Sequence, residues 1–208
     1  MSMVEQSVEA FLERLASSDP TPGGGSAAAV MGAMGAALAA MVCNVSIGKK
    51  GLESAESEMR DIRAAADALR KRLTLMVGDD VAAFDALMAA YKMPKATDEE
   101  KAGRSAAIQS SLRLATEVPL DCARACAEVI ALTRRAGVHG YKGVVSDAGV
   151  GVMAAFAALR SAALNVYINA PALNDRIFAE AALADIETLV AAGTADTDAI
   201  YSAVRARL

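Results

Sequence analysis

From Thr21 to Gly48 the chain carries no charged side chain, and most of the segment is Ala, Gly, Ser and Met. An uncharged stretch of that length can span a bilayer as one helix. It can equally be a helix buried on all sides of a bundle, where small residues let neighbouring backbones come close. The bundle reading is preferred, because no second uncharged span and no flanking charge asymmetry supports insertion. The rest of the chain must then supply the surroundings of that helix.

It does so with more helices. Ala, Leu, Met, Glu, Lys and Arg dominate, and β-branched alternation is absent. The expected first helix runs from Val4 to Leu15, and the run from Ser17 to Gly25, with Pro20, Pro22 and three consecutive Gly, breaks it. The second helix spans Ser26–Ser46, framed at its exit by Gly48 and Gly51. A third runs from Glu53 to Tyr91 and is closed by Pro94. Thr97 and Glu100 form a capping box for a fourth helix, ending near Glu117. Pro119 suits the first turn of a fifth, Leu120–Arg135. A Gly-rich connection, Gly137 to Gly143, precedes a sixth helix capped by Ser146 or Asp147 and ended by Pro171. Asn174 or Asp175 caps a seventh, ending at Gly193, and an eighth occupies Asp196–Arg207.

No linker, repeat or low-complexity tail divides residues 1–208, so the expectation is one all-α domain, a helical bundle with long helices. Ala-rich, nearly uncharged helices bury little area each. Burial of the second and sixth from both sides points to a homodimer with two-fold symmetry. A net charge of -4 argues against a nucleic-acid partner. Three Cys are too few for a disulfide scaffold and fit a reduced, cytoplasmic compartment. Met1 to Gln6 shows no leader pattern.

One carboxylate breaks a buried pattern. Met59, Ile62, Ala66, Leu69, Leu73, Met76, Phe84, Leu87 and Tyr91 recur every three or four residues, and Asp80 stands on the same stripe. A carboxylate there is costly unless paired. It is either a general acid or base or a cap on a neighbouring helix. Asp79 and Asp85 lie off the stripe, on the solvated side. On the sixth helix Ser161, Asn165 and Asn169 make a polar ridge, facing either a subunit interface or a polar ligand. Pro22 to Ser26 opens the second helix with Gly23, Gly24 and Gly25, as an anion-binding turn or as a close-packing one. It is neither a P-loop nor a dinucleotide fingerprint. Lys49 and Lys50 either complement a helix C-terminus or meet an anionic tail. His139 is the only His, and with Cys43, Cys122 and Cys126 it makes no zinc site.

The same residues carry a resemblance. Thr21 to Ser26 (TPGGGS), Met41-Val42-Cys43, Gly48-Lys49-Lys50, Asp80 with Ala83-Phe84, Met93-Pro94-Lys95, Thr97 to Lys101, Val118-Pro119-Leu120, Ser146 to Val150 and Leu164 to Asn169 resemble, in order, the cyclodeaminase/cyclohydrolase family of folate enzymes. The resemblance covers nearly the whole chain. One departure is Gly140-Tyr141, where relatives tend to have Gly-Asn. The resemblance implies an all-helical dimer with its folate site near the interface and a tetrahydrofolate derivative as substrate. The chemistry it implies requires no metal and no cofactor, beside the earlier expectations of no nucleic acid and no membrane. The implied reaction is hydrolysis of 5,10-methenyltetrahydrofolate. Asp80 is the favoured base, Asp147 the second choice, and Lys49 the proton donor or charge stabiliser. Gly23, Gly24, Gly25, Ser26, Lys95, Asn165 and Asn169 bind substrate. Cyclodeamination of a formimino-folate, with ammonia released, is the nearest rival. A non-catalytic helical interaction module is the rival of another class.

Overall fold

A computed structural model describes residues 6–208 and is helical throughout. Six α-helices follow one another: α1 (Val8–Leu15), α2 (Gly24–Ser46), α3 (Glu56–Lys92), α4 (Asp98–His139), α5 (Val145–Asn169) and α6 (Arg176–Arg205). Single 3-10 turns at Glu53–Ala55, Lys142–Val144 and Ala170–Ala172 lead into α3 and α5 and out of α5. α1 starts at Val8 behind the N-cap Ser7, whose hydroxyl accepts from the Ala10 amide. The expected start at Val4 lies outside the described residues.

α2 is the hub. It packs on α3, α4 and α5, and Gly32 and Gly35 set how closely. A methyl at Gly32 would lie 2.8 Å from Cys126 Sγ and 3.2 Å from Leu73. One at Gly35 would lie 2.9 Å from the Gly151 carbonyl. Paired contacts fix direction. Asp80 meets Gly25 while Leu73 meets Gly32, and Ala155 meets Gly35 while Gly151 meets Leu38. Cys126 meets Gly32 while Gly140 meets Val42, and Arg113 and Arg124 bond Asp175 and Asp185. So α2, α4 and α6 run one way and α3 and α5 the other. Composition alone would let α2 and the stretch Lys142–Ala172 cross a bilayer. The second of these was not expected, since Arg160 interrupts it. Here 56% and 50% of their apolar windows are buried inside the bundle, as in core helices.

Three expected breaks are absent. α4 is continuous through Pro119, although proline inside a helix removes the bond to the carbonyl four residues back. That carbonyl belongs to Ala115, and the Asn169 amide donates to it at 2.7 Å. A residue of α5 thus supplies the hydrogen bond that Pro119 cannot. α4 also runs on through Gly137, because the Arg207 guanidinium donates to the Gly137 and Val138 carbonyls at its C-terminal end. α6 passes straight through the buried Gly193, where a Cβ would lie 3.4 Å from Leu159 and 3.5 Å from Ile130, ordinary contact distance. Among the described residues only Gly48 and Gly51 have positive φ, so Gly193 takes no helix-ending conformation.

Other expectations hold. Thr97 and Glu100 close a reciprocal capping box, and Asp175 caps α6 through the Phe178 amide. The α3 stripe is buried from Met59 to Met76. Beyond Asp80 it shifts to Ala83, Leu87 and Ala90, leaving Tyr91 exposed.

Candidate functional site

Asp80 is seated against the first turn of α2. The fully buried Ser26 hydroxyl donates to Asp80 Oδ2 at 2.7 Å. Gly25 makes the seat possible: a Cβ there would lie 2.0 Å from Asp80 Oδ1 and 2.6 Å from its Cγ. Only a residue without a side chain lets the carboxylate rest on the helix backbone. The first amides of a helix have no intrahelical acceptor and form the positive end of its dipole. The glycine-rich turn and the carboxylate therefore form one unit rather than two features. Gly23 is the N-cap, and Gly24 has open space around it.

Asn165 and Asn169 belong to the same end of the bundle. Gly35 meets Ala155, and the antiparallel register then sets Asn165 level with Gly25. Asn165 Nδ2 donates to the Ser161 carbonyl at 3.1 Å. The Asn169 amide group is committed to Ala115, which leaves its Oδ1 as the polar atom without a protein donor among the described residues.

Lys49 and Asp147 lie elsewhere. Lys49 follows the C-terminus of α2, a helix of 23 residues. At about 1.5 Å of rise per residue this separates Lys49 from Gly25, and so from Asp80, by roughly 33 Å. Asp147 was expected as a cap on α5. It lies instead in the first turn, because the preceding 3-10 turn starts the chain coiling early and Val144 becomes the N-cap. Ser146 is likewise inside the helix. Gly151 lies against Leu38, so Asp147 is at the Lys49 end. Lys95 is exposed beyond α3, whose stretch from Asp80 to Lys92 is roughly 18 Å long. One chain therefore joins Gly25, Ser26 and Asp80 directly, sets Asn165 and Asn169 at the same end of the bundle on α5, across α2 from α3, and holds Lys49 and Asp147 at the opposite pole.

The remaining candidates are structural. His139 Nε2 is 3.4 Å from Glu58, which also takes Arg135 at 3.1 Å, so these groups tie α4 to the start of α3. Cys43, Cys122 and Cys126 are free and buried. Burial pushes the Cys43 thiol from 9.0 up to about 11. A hydrogen bond with the free Cys122 thiol, and then burial, push the Cys126 thiol upward. No cluster of metal-binding side chains forms among the described residues.

Fold and site define an all-helical protein with one carboxylate seated on a glycine-rich helix start. Residues 7–188 match the family described as formiminotransferase-cyclodeaminase, and the chain belongs to it. It is 53% identical over 203 residues to the methenyltetrahydrofolate cyclohydrolase of Methylorubrum extorquens, covering 98% of both chains. It is 32% identical to the formimidoyltransferase-cyclodeaminase of Rattus norvegicus, of which it spans 38%. The crystal structure of formiminotetrahydrofolate cyclodeaminase from Thermotoga maritima superposes with a TM-score of 0.84 at 30% identity, covering 100% of this chain and 98% of that one.

Proposed function

We propose that this protein is a methenyltetrahydrofolate cyclohydrolase, converting 5,10-methenyltetrahydrofolate to 10-formyltetrahydrofolate. The observation that carries the reading is 53% identity along essentially the full length of the Methylorubrum cyclohydrolase. The cyclodeaminase relatives are more distant, at 30% to 35%.

The substrate carries an amidinium carbon between two nitrogens. Water adds to that carbon, a tetrahedral adduct forms, and the N5–carbon bond breaks as N5 takes a proton. The step needs a base for water and an acid for the leaving nitrogen. Asp80 is the base in this reading. Ser26 and Gly25 fix its rotamer, and its negative charge attracts the cationic amidinium. Asn165 and the free Asn169 Oδ1 suit the amide-like edge of the pterin. The test is Asp80→Asn, with enzyme-dependent loss of methenyl absorbance followed against buffer. A fall of about 10²- to 10⁴-fold with unchanged helicity is expected. A rate near wild type removes Asp80 from the role.

Lys49 and Asp147 enter through a homodimer. α5 exposes Val150, Met153, Leu164 and Ile168 along one face, and α2 adds Met34 beside it. Such a row marks an interaction surface. A two-fold axis crossing the middle of this face at right angles to α2 lays the Lys49 end of one copy over the Asp80 end of the other. Catalytic groups split between poles of one chain then meet across the interface. Mixing inactive Asp80→Asn and Lys49→Ala subunits tests this. Random exchange makes half the dimers mixed, each with one intact site of two, so activity returns to about a quarter of wild type. No recovery after confirmed exchange refutes the shared site. The free, buried thiols support a cytoplasmic, reducing location.

A further inference from the structure

The loop before α5 holds a group that the proposed reaction has not used. Tyr141 lies with its ring under the Lys49 ammonium, 4.8 Å from nitrogen to ring centroid. Lys49 makes no salt bridge among the described residues, so the ring is its only ionic or cation–π partner there. An aromatic face attracts an ammonium without neutralising it. The charge stays available for a substrate, as it would not beside a carboxylate.

Several contacts build the arrangement. The Tyr141 amide donates to Ser46 Oγ at 2.7 Å, and that hydroxyl donates in turn to the Val42 carbonyl at 2.6 Å. Ser46 is buried, so it ties the loop to the last turn of α2. Gly140 seats the loop backbone: a Cβ there would lie 2.7 Å from Val42 Cγ1 and 2.5 Å from the Ala136 carbonyl. Gly143 makes room for the ring, since a Cβ there would lie 2.5 Å from Tyr141 Cε1. On the other side, Lys49 stands between Gly48 at φ 77° and Gly51 at φ 89°, and its amide donates to the Ser46 carbonyl at 3.1 Å. Ser46 thus anchors both the backbone that carries the lysine and the backbone that carries the ring. Sequence reading singles out Tyr141 only as the place where the chain departs from its relatives.

We infer that Tyr141 is a positioning residue for Lys49: its ring face holds the ammonium in the orientation used on the substrate. The inference rests on the proposed role of Lys49. It assigns the work to the ring face, not to the phenol hydroxyl. It also predicts that Tyr141 contributes nothing once Lys49 is gone.

The experiment is a double-mutant cycle on the full-length protein, with kcat and KM for methenyltetrahydrofolate measured separately. Tyr141→Ala lowers kcat about two- to five-fold, the size of an exposed cation–π contact, and leaves KM and melting temperature near wild type. Tyr141→Phe, which keeps the ring, stays near wild type. Gly143→Ala, which keeps both residues but displaces the ring, loses as much as Tyr141→Ala. In a Lys49→Ala background, where the residual turnover is measured at high enzyme concentration, Tyr141→Ala has no further effect. The inference is overturned if Phe is as damaging as Ala, if the two losses multiply, or if Lys49→Ala is silent while Tyr141→Ala is not. Failure of the underlying reading looks different: Asp80→Asn and Lys49→Ala both keep full activity.

Discussion

Gly25→Ala is the sharpest probe of the Asp80 seat. The backbone at Gly25 is helical with negative φ, so alanine fits the main chain and raises helix propensity by about 0.5–1 kcal/mol. Its methyl does not fit the neighbour. The Cβ position is 2.0 Å from Asp80 Oδ1, 2.6 Å from Cγ and 3.0 Å from Oδ2. The carboxylate must retreat by at least about 1 Å, and a displacement of that size in an aligned catalytic group costs on the order of 10²-fold in rate. Retreat also strains the 2.7 Å bond from Ser26, worth about 1.5–3 kcal/mol as a bond to a charged group. Helix gain and bond loss partly cancel, so stability falls by only about 1–2 kcal/mol. The expected result is a folded helical protein, shifted by a few degrees in melting temperature, with turnover down about a hundredfold. Gly103→Ala on α4 is the control, because nothing lies within 4 Å of its Cβ position and it stands outside the site, and it keeps its activity. Activity of Gly25→Ala within threefold of wild type would refute the seat as a catalytic device.

Asn169→Ala orphans the Ala115 carbonyl and costs about 1–3 kcal/mol in denaturant unfolding. In Pro119→Ala, whose new amide can serve that carbonyl, the same change costs little, and equal costs in both backgrounds would refute the rescue. Gly32→Ala drives a methyl to 2.8 Å from Cys126 Sγ and lowers stability by about 1–3 kcal/mol on thermal melting, with the secondary structure intact. The Cys43 thiol is protonated up to about pH 11 in the folded chain, against 9.0 ordinarily. Unfolded chains lose that proton first, so its contribution to stability is complete below pH 9.0 and is lost as pH rises toward 11. Iodoacetamide at pH 8 should leave all three thiols unlabelled until denaturant is added.

Local signals were readable where their partners are close in sequence. The Thr97–Glu100 box and the Asp175 cap each close within a few residues, so residue types at fixed spacing suffice. Asp80 was readable because a helical stripe makes a misplaced carboxylate visible. Pro119 was not, since what keeps α4 whole is an amide 54 residues from the carbonyl it serves. Gly193 misleads for a related reason: its packing against α5 outweighs a weak local preference. The distance between the ends of α2 follows from sequence alone, as a helix from Ser26 to Ser46 is about 30 Å long. That Asp80 joins one end and Asp147 the other depends on antiparallel packing, which no local pattern states. Tyr141 shows in the sequence only as a departure from related chains and Gly143 only as the end of a Gly-rich connection, because a ring over an ammonium needs the folded loop.

The unbroken rod of α2 has a consequence for how such a chain can vary over time. One inserted residue would turn everything after it by about 100° and advance it by about 1.5 Å. Gly32 and Gly35 would lose register with their neighbours, and the Lys49 loop would swing away from Tyr141. Insertions and deletions should therefore collect in the turn around Pro94 and the exit around Pro171, while the length of α2 stays fixed across descendants that keep the activity.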